Sequence, residues 1–241
     1  MIYLKLDERL RKIADMIPLG SNIADIGTDH AYLPLVLMKE GKIKKAIASD
    51  INKGPYLSAL ETIKNSDLSP DLKDNISIRH GNGLEVLTAK EAAILIIAGM
   101  GGITIIDILK QNPTLTNSFD KLILQPMNAA DKVRQYLHIN QWKIIDEDLV
   151  LKKNSDNIIY TIISFEKSNT PLPEIEPILF GLGPLLFERK HPLLKLFIEE
   201  KIKIFQKTAT AIQNSTSADN SAKYKEILKR IKLLEDKYSC L

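Results

Sequence analysis

The sequence predicts an α/β fold: a doubly wound, seven-stranded sheet ending in an antiparallel hairpin, followed by a C-terminal antiparallel, coiled-coil-like helical hairpin. Three observations predict it. Seven short β-branched, apolar runs punctuate the first two-thirds of the 241 residues. Helix-period segments separate the first five, and strands alternating with helices build parallel sheets. After the seventh run the pattern becomes purely helical.

The runs are Asn22–Gly27, Lys45–Asp50, Ile76–Gly81, Ile94–Gly99, Lys121–Pro126, Lys143–Lys152 and Ile158–Lys167. Between them, Ala31–Glu40, Pro55–Asn65, Ile103–Lys110 and Ala129–Ile139 carry helical periodicity. The fourth run is continuously apolar from Ile94 to Ala98, as a strand covered on both faces requires. Only Asn154-Ser155-Asp156-Asn157 parts the last two, too little for a crossover helix, so they form a hairpin. Pro171, Pro173, Pro177 and Pro184, with Gly181 and Gly183, then mark a linker. The expected organisation is a domain at 1–167, a linker at 168–188 and a helical hairpin at 189–241. In that hairpin Leu194, Ile198, Ile202, Phe205, Ala209 and Ile212 recur at three- and four-residue intervals, and so do Tyr224, Ile227, Ile231, Leu234 and Tyr238. A helical layer folded back on the sheet is the alternative; the prolines favour separation.

An apolar fraction of 44% with 26% charged residues is ordinary for a globular protein and excludes wholesale disorder. The lone Cys240 cannot close an internal disulfide, and no Cys/His cluster has the spacing of a metal site. A reducing, cytoplasmic setting is expected, with no metal. No apolar run of about 18 residues and no signal-peptide core appear, so no membrane association is expected. The net charge of +3 is small, but residues 1–165 carry 20 basic and 20 acidic side chains against 13 and 10 beyond. The whole excess therefore sits on the C-terminal module, where Lys201, Lys203, Lys207, Lys225, Lys229 and Arg230 suit a polyanion such as RNA. Glu199, Glu200 and Glu226 among them fit a solvated helix face equally well.

The chemistry gathers at strand ends. Ala24-Asp25-Ile26-Gly27-Thr28-Asp29-His30 ends the first strand, and Gly27 permits the tight turn a close ligand demands. Asp50 ends the second strand, 23 residues after Gly27, where a carboxylate accepts both hydroxyls of a ribose. Gly81-Asn82-Gly83 ends the third, with an amide able to read an adenine edge. Ala98-Gly99-Met100-Gly101-Gly102 ends the fourth, across the topological switch point from Gly27. A single glycine at the first turn, rather than GxGxxG, speaks against a pyrophosphate and hence a nicotinamide enzyme. Gln125-Pro126 ends the fifth strand and suits a base edge or an RNA backbone. For Asp50, Asn82 and Gln125 the plainer alternative is an ordinary turn residue.

These strings resemble the bacterial tRNA (adenine-22-N1)-methyltransferases, a family of Rossmann-like class I S-adenosylmethionine-dependent enzymes. The matching residues are Arg9-Leu10, Ala24-Asp25-Ile26-Gly27, Asp29-His30-Ala31-Tyr32-Leu33-Pro34, Gly54-Pro55, Gly83-Leu84, Ile97–Gly102, Leu122–Pro126 and Gly183-Pro184. Two positions depart from the family pattern: Asp50 replaces a Glu, shortening the reach to a ribose by one methylene, and Asn82 replaces a frequent Asp.

The resemblance implies methyl transfer from S-adenosylmethionine to N1 of adenine 22 in the D-arm region of tRNA; a monomer is expected. It assigns catalytic roles to Asp29, which would offset the charge developing on the base, and Tyr32, which would stack on it. The cofactor set it implies is Arg9, Asp25, Gly27, His30, Asp50, Asn82, Gly83, Ala98, Gly99, Met100 and Gly101. Gln125, Pro126 and the six basic residues of the hairpin would touch tRNA. Two plainer alternatives stay open: Asp29 as a helix N-cap and Tyr32 as a core aromatic. So do two other functions, methylation of a different RNA and a non-catalytic RNA-binding module.

Overall fold

The computed structural model describes residues 5–152, 158–214 and 220–241. The chain divides into two compact units, Met1–Pro173 and Glu174–Leu241. The turn read at Asn154–Asn157 lies outside the described residues.

The first unit opens with α1 (Glu8–Asp15), capped by the Asp7 carboxylate, which accepts the Leu10 amide at 2.7 Å. There follow β1 (Ser21–Ile26), α2 (Tyr32–Lys39), β2 (Ile43–Asp50), α3 (Lys53–Asn65), α4 (Pro70–Lys73) and β3 (Ile76–His80). A 3-10 turn at Gly83–Val86 leads to β4 (Ile94–Met100), α5 (Gly102–Gln111), α6 (Pro113–Thr116), β5 (Lys121–Pro126) and α7 (Ala130–Ile139). The unit closes with β6 (Trp142–Lys152) and β7 (Ile158–Lys167). The sheet order is β3-β2-β1-β4-β5-β7-β6. The first five strands are parallel, and β7 pairs antiparallel with both β5 and β6. Strand order reverses between β1 and β4, so their C-terminal ends part to form a crevice. Leu95, Ile96 and Ile97 of β4 are fully buried, in keeping with their unbroken apolar run.

Polar burial concentrates in two places. At the C-terminal ends of the strands, Asp25, Ser49, Asp50 and Gln125 are buried. On the flank, Arg134 of α7 donates from Nε to Glu147 Oε1 of β6 at 2.6 Å, both side chains wholly inaccessible. That ion pair ties the last helix of the sheet domain to the terminal hairpin.

Gly102 shows how tightly the β4–α5 junction is built. A Cβ there would stand 2.6 Å from the Asn128 carbonyl oxygen and 2.8 Å from that of Ala129, both backbone atoms that cannot swing aside. Gly102→Ala is therefore expected to cost about 1–3 kcal/mol by overpacking, read as a lowered melting temperature.

The second unit holds α8 (Pro177–Leu182), α9 (Pro184–Glu188), α10 (Leu194–Gln213) and α11 (Asn220–Ser239). The division of the chain falls within 168–188, yet the second half of that span is helical. Pro177 and Pro184 each start a short helix, a position where the missing N–H costs nothing. Helices α10 and α11 run antiparallel: Gln213 near the end of one bonds Tyr224 near the start of the other. At the opposite end Tyr238 Oη donates to Glu199 at 2.8 Å. Leu194, Ile198, Ala209, Ile231 and Leu234 are buried on the inner faces. Lys207, Lys225 and Lys229 are exposed. Lys203 and Arg230 are exposed but pair within their own helices, with Glu200 at 2.7 Å and Glu226 at 2.6 Å. Lys201 departs from the expectation. It is half-buried with its ammonium 4.6 Å from the centre of the Phe197 ring, because its position adjoins the packed stripe.

Candidate active site

A cleft of about 410 Å³ opens at the switch point, lined by Asp7, Arg9, Leu10, Asp25, Gly27, Thr28, Asp29, His30, Tyr32, Leu33, Ala98 and Gly99. Helix α1, the β1–α2 turn and the end of β4 thus converge on one space.

Its charge is bipolar. Asp25 is buried and accepts the Thr28 hydroxyl at 2.7 Å. Burial pushes its carboxyl up from 3.8 to about 6; the Thr28 hydrogen bond and the Arg9 charge pull the other way, while Asp50 adds to the rise. Arg9 supplies the opposite charge. Its Nη1 donates to Gln125 Oε1 at 2.7 Å, and the guanidinium carbon lies 5.7 Å from the centre of the Tyr160 ring. A guanidinium and a carboxylate on one cleft match the carboxylate and ammonium of an α-amino acid.

The turn after β1 forms one wall of the cleft. Gly27 has φ +77° and donates, like Thr28, to the Ser49 carbonyl, at 2.8 and 2.9 Å. A Cβ on Gly27 would overlap the Met100 side chain, so that methionine closes the turn from the β4 side. Asp29 and Ala31 are both left-handed at φ 54°, a cost of order 1–3 kcal/mol each that concentrates at functional turns. Ala31, not Asp29, is the N-cap of α2, and no side chain caps that helix. Asp29 instead projects outward, its Oδ1 3.6 Å from His30 Nε2. Tyr32 is 38% exposed and stacks on His30 at 5.1 Å with a 13° interplanar angle. The two plainer alternatives for Asp29 and Tyr32 therefore fail.

Not every expected residue faces the cleft. Asp50 lies beside it at the end of β2, buried, with Oδ1 accepting the Asn52 amide at 2.8 Å. Asn82 is exposed one strand further along, 3.4 Å from Glu85. Gly83 is buried beneath Gln111, whose Oε1 takes the Leu84 amide at 3.0 Å and fills the place of a Cβ. Gly101 sits against Asn128 rather than in the cleft. Gln125 and Pro126 correct the sequence reading: both are buried, and the Gln125 amide is turned inward. Its Oε1 accepts Arg9 and the Gly99 amide, the latter at 3.0 Å, and its Nε2 reaches the Pro126 carbonyl at 3.2 Å. Among the described residues no group of three or more His, Cys, Asp or Glu is arranged to hold a metal.

Thr28, Gln111 and Tyr160 escaped the sequence reading. Thr28 lay within the quoted turn and could have been read as a partner for Asp25. The other two are brought in by tertiary pairing and carry no local signal.

A methyltransferase-domain model matches residues 6–163. The tRNA (adenine(22)-N(1))-methyltransferase of Bacillus subtilis (strain 168) is 34% identical over 98% of both chains. The chain belongs to this methyltransferase family. The crystal structure of the B. subtilis M1A22 tRNA methyltransferase TrmK superimposes with a TM-score of 0.84 at 33% identity, covering 98% of this chain and 99% of that one. TrmK of M. capricolum, solved with S-adenosyl-homocysteine, gives 0.81 at 28% identity over 97% and 98%. Both superpositions take in nearly the whole of this chain, most of α10 and α11 included.

Proposed function

We propose that this protein transfers a methyl group from S-adenosylmethionine to N1 of adenine 22 of tRNA, as a cytoplasmic monomer. The observation that carries the reading is the bipolar cleft of Arg9 and Asp25 at the switch point of a chain 34% identical, end to end, to an enzyme of that name. The residues fit the donor. Arg9 takes the methionine carboxylate, Asp25 the ammonium, Asp50 the ribose hydroxyls and Asn82 the adenine edge, while the Gly27 and Gly99 turns allow backbone approach. When bound, S-adenosylmethionine supplies an electrophilic methyl on a sulfonium.

The chain's own work is positioning. Adenine N1 bears a lone pair and no proton, so no residue has to act as a base before attack; alignment in the cleft is what lowers the barrier. Tyr32, backed by His30, is a ready platform for a base drawn out of its stack. Asp29, exposed at the same rim, offsets the positive charge that the ring acquires. Lys207, Lys225 and Lys229, with Lys203 and Arg230, supply phosphate contacts on the helical hairpin; Lys201 contributes less, being half-buried.

Two results test this. A tRNA transcript with guanine in place of adenine 22 accepts no methyl, whereas continued transfer to it contradicts the assignment. Reversing Lys207, Lys225 and Lys229 to Glu raises the KM for tRNA at least tenfold and leaves donor affinity unchanged, because those side chains meet only the polyanion.

Asp25 also makes donor binding pH-dependent. Its carboxyl titrates near 6, so acidification neutralises the partner of the donor's ammonium. Affinity is expected to fall about tenfold between pH 7 and pH 5, measured by calorimetry, and Asp25→Asn flattens that profile at the weaker level.

A further inference from the structure

We propose that the backbone carbonyl of Ala98, aimed by the buried Gln125, accepts a hydrogen bond from the exocyclic amine of the target base. Gln125 is then a positioning residue for base recognition. The inference rests on the reading of the target as an adenine.

Strand β4 ends in a bulge. The register between β4 and β5 shifts between Ala98 and Met100, leaving Gly99 as the extra residue at φ +78°. A bulged residue loses its ladder partner. Here Gln125 replaces it, its side-chain carbonyl taking the Gly99 amide. In a planar trans peptide the carbonyl of Ala98 points opposite to the amide of Gly99. Fixing the one on Gln125 therefore fixes the other facing away from Gln125.

The flanking amides that could reach that carbonyl are engaged elsewhere or missing. On the β1 side the amides at this level, Gly27 and Thr28, both donate to Ser49. On the β5 side Pro126 has no N–H to offer. Ala98 lines the cleft alongside Asp29 and Tyr32. A carbonyl turned into that space matches a 6-amino purine, whose amine donates beside the N1 lone pair. Arg9, bonded to the same Gln125 oxygen, stabilises its orientation, and the Gln125 Nε2 bond to Pro126 fixes which end of the amide faces the bulge.

The test is a cycle between enzyme and substrate. Wild-type protein and Gln125→Leu are assayed on tRNA carrying either adenosine or purine ribonucleoside, which lacks the amine, at position 22. The two bases differ in intrinsic nucleophilicity, but that difference cancels when the two adenosine-to-purine ratios of kcat/KM are compared, and so does any change in donor affinity. The wild type is expected to prefer adenosine at least tenfold more strongly than Gln125→Leu does, and Gln125→Glu, which keeps the acceptor, to retain the wild-type ratio. Equal ratios in wild type and Gln125→Leu overturn the proposal. Should Gln125→Leu not fold, Gln125→Met carries the same comparison. Absence of transfer by the wild type to the adenosine tRNA would instead defeat the underlying assignment.

Discussion

Asp50→Ala is expected to weaken S-adenosylmethionine binding by a hundredfold or more while the protein stays folded. The carboxylate is buried at the end of β2, and the Asn52 amide takes one of its oxygens. An ionised carboxylate has about four lone-pair sites, so capacity remains for two ribose hydroxyls. Hydrogen bonds to a charged group contribute about 1.5–3 kcal/mol each, and two of them exceed the roughly 2.8 kcal/mol that a hundredfold represents. Asp50→Asn keeps one acceptor oxygen and should lose less. Calorimetric titration with the donor measures both, with a thermal melt as the control for folding. Undiminished affinity in Asp50→Ala would remove the ribose from the end of β2.

A second large effect concerns stability. Arg134→Ala removes the 2.6 Å ion-pair partner of the buried Glu147. Breaking one side of a buried pair costs about 3–5 kcal/mol. For a chain of this size each kcal/mol lowers the melting temperature by roughly 2–4 °C, so a fall of about 6–20 °C is expected. The double replacement Arg134→Met with Glu147→Leu removes both charges and should recover most of that loss. If Arg134→Ala melts with the wild type, the pair does not anchor α7 to the terminal hairpin.

The fold was legible because its signals are local. The continuous apolar run of β4, the acid–glycine turn after β1 and the antiparallel pairing of β6 with β7 each follow from short-range pattern, and the sheet order places them as expected. Part of the site was legible for the same reason: Asp25, Gly27, Asp29, His30, Tyr32, Ala98 and Gly99 sit at strand ends that the topology brings together. Burial was less so. Gln125 read as a surface amide because a polar residue at a strand end is usually exposed; the bulge at Gly99 and the approach of Arg9, 116 residues away, turn it inward. Lys201 read as a free cation because periodicity marks which face packs but not how far that face extends. Gln111 and Tyr160 reach their partners only through tertiary contact, which no single-sequence pattern encodes.

The function comes down to a methyl placed on one ring nitrogen of one nucleotide. Incubating the protein with labelled S-adenosylmethionine and unmodified bulk tRNA, then mapping the product by nuclease digestion and mass spectrometry, tests it most directly. The expected product is 1-methyladenosine at position 22. Label on the exocyclic nitrogen of adenine, at another position, or on ribosomal RNA alone would contradict it.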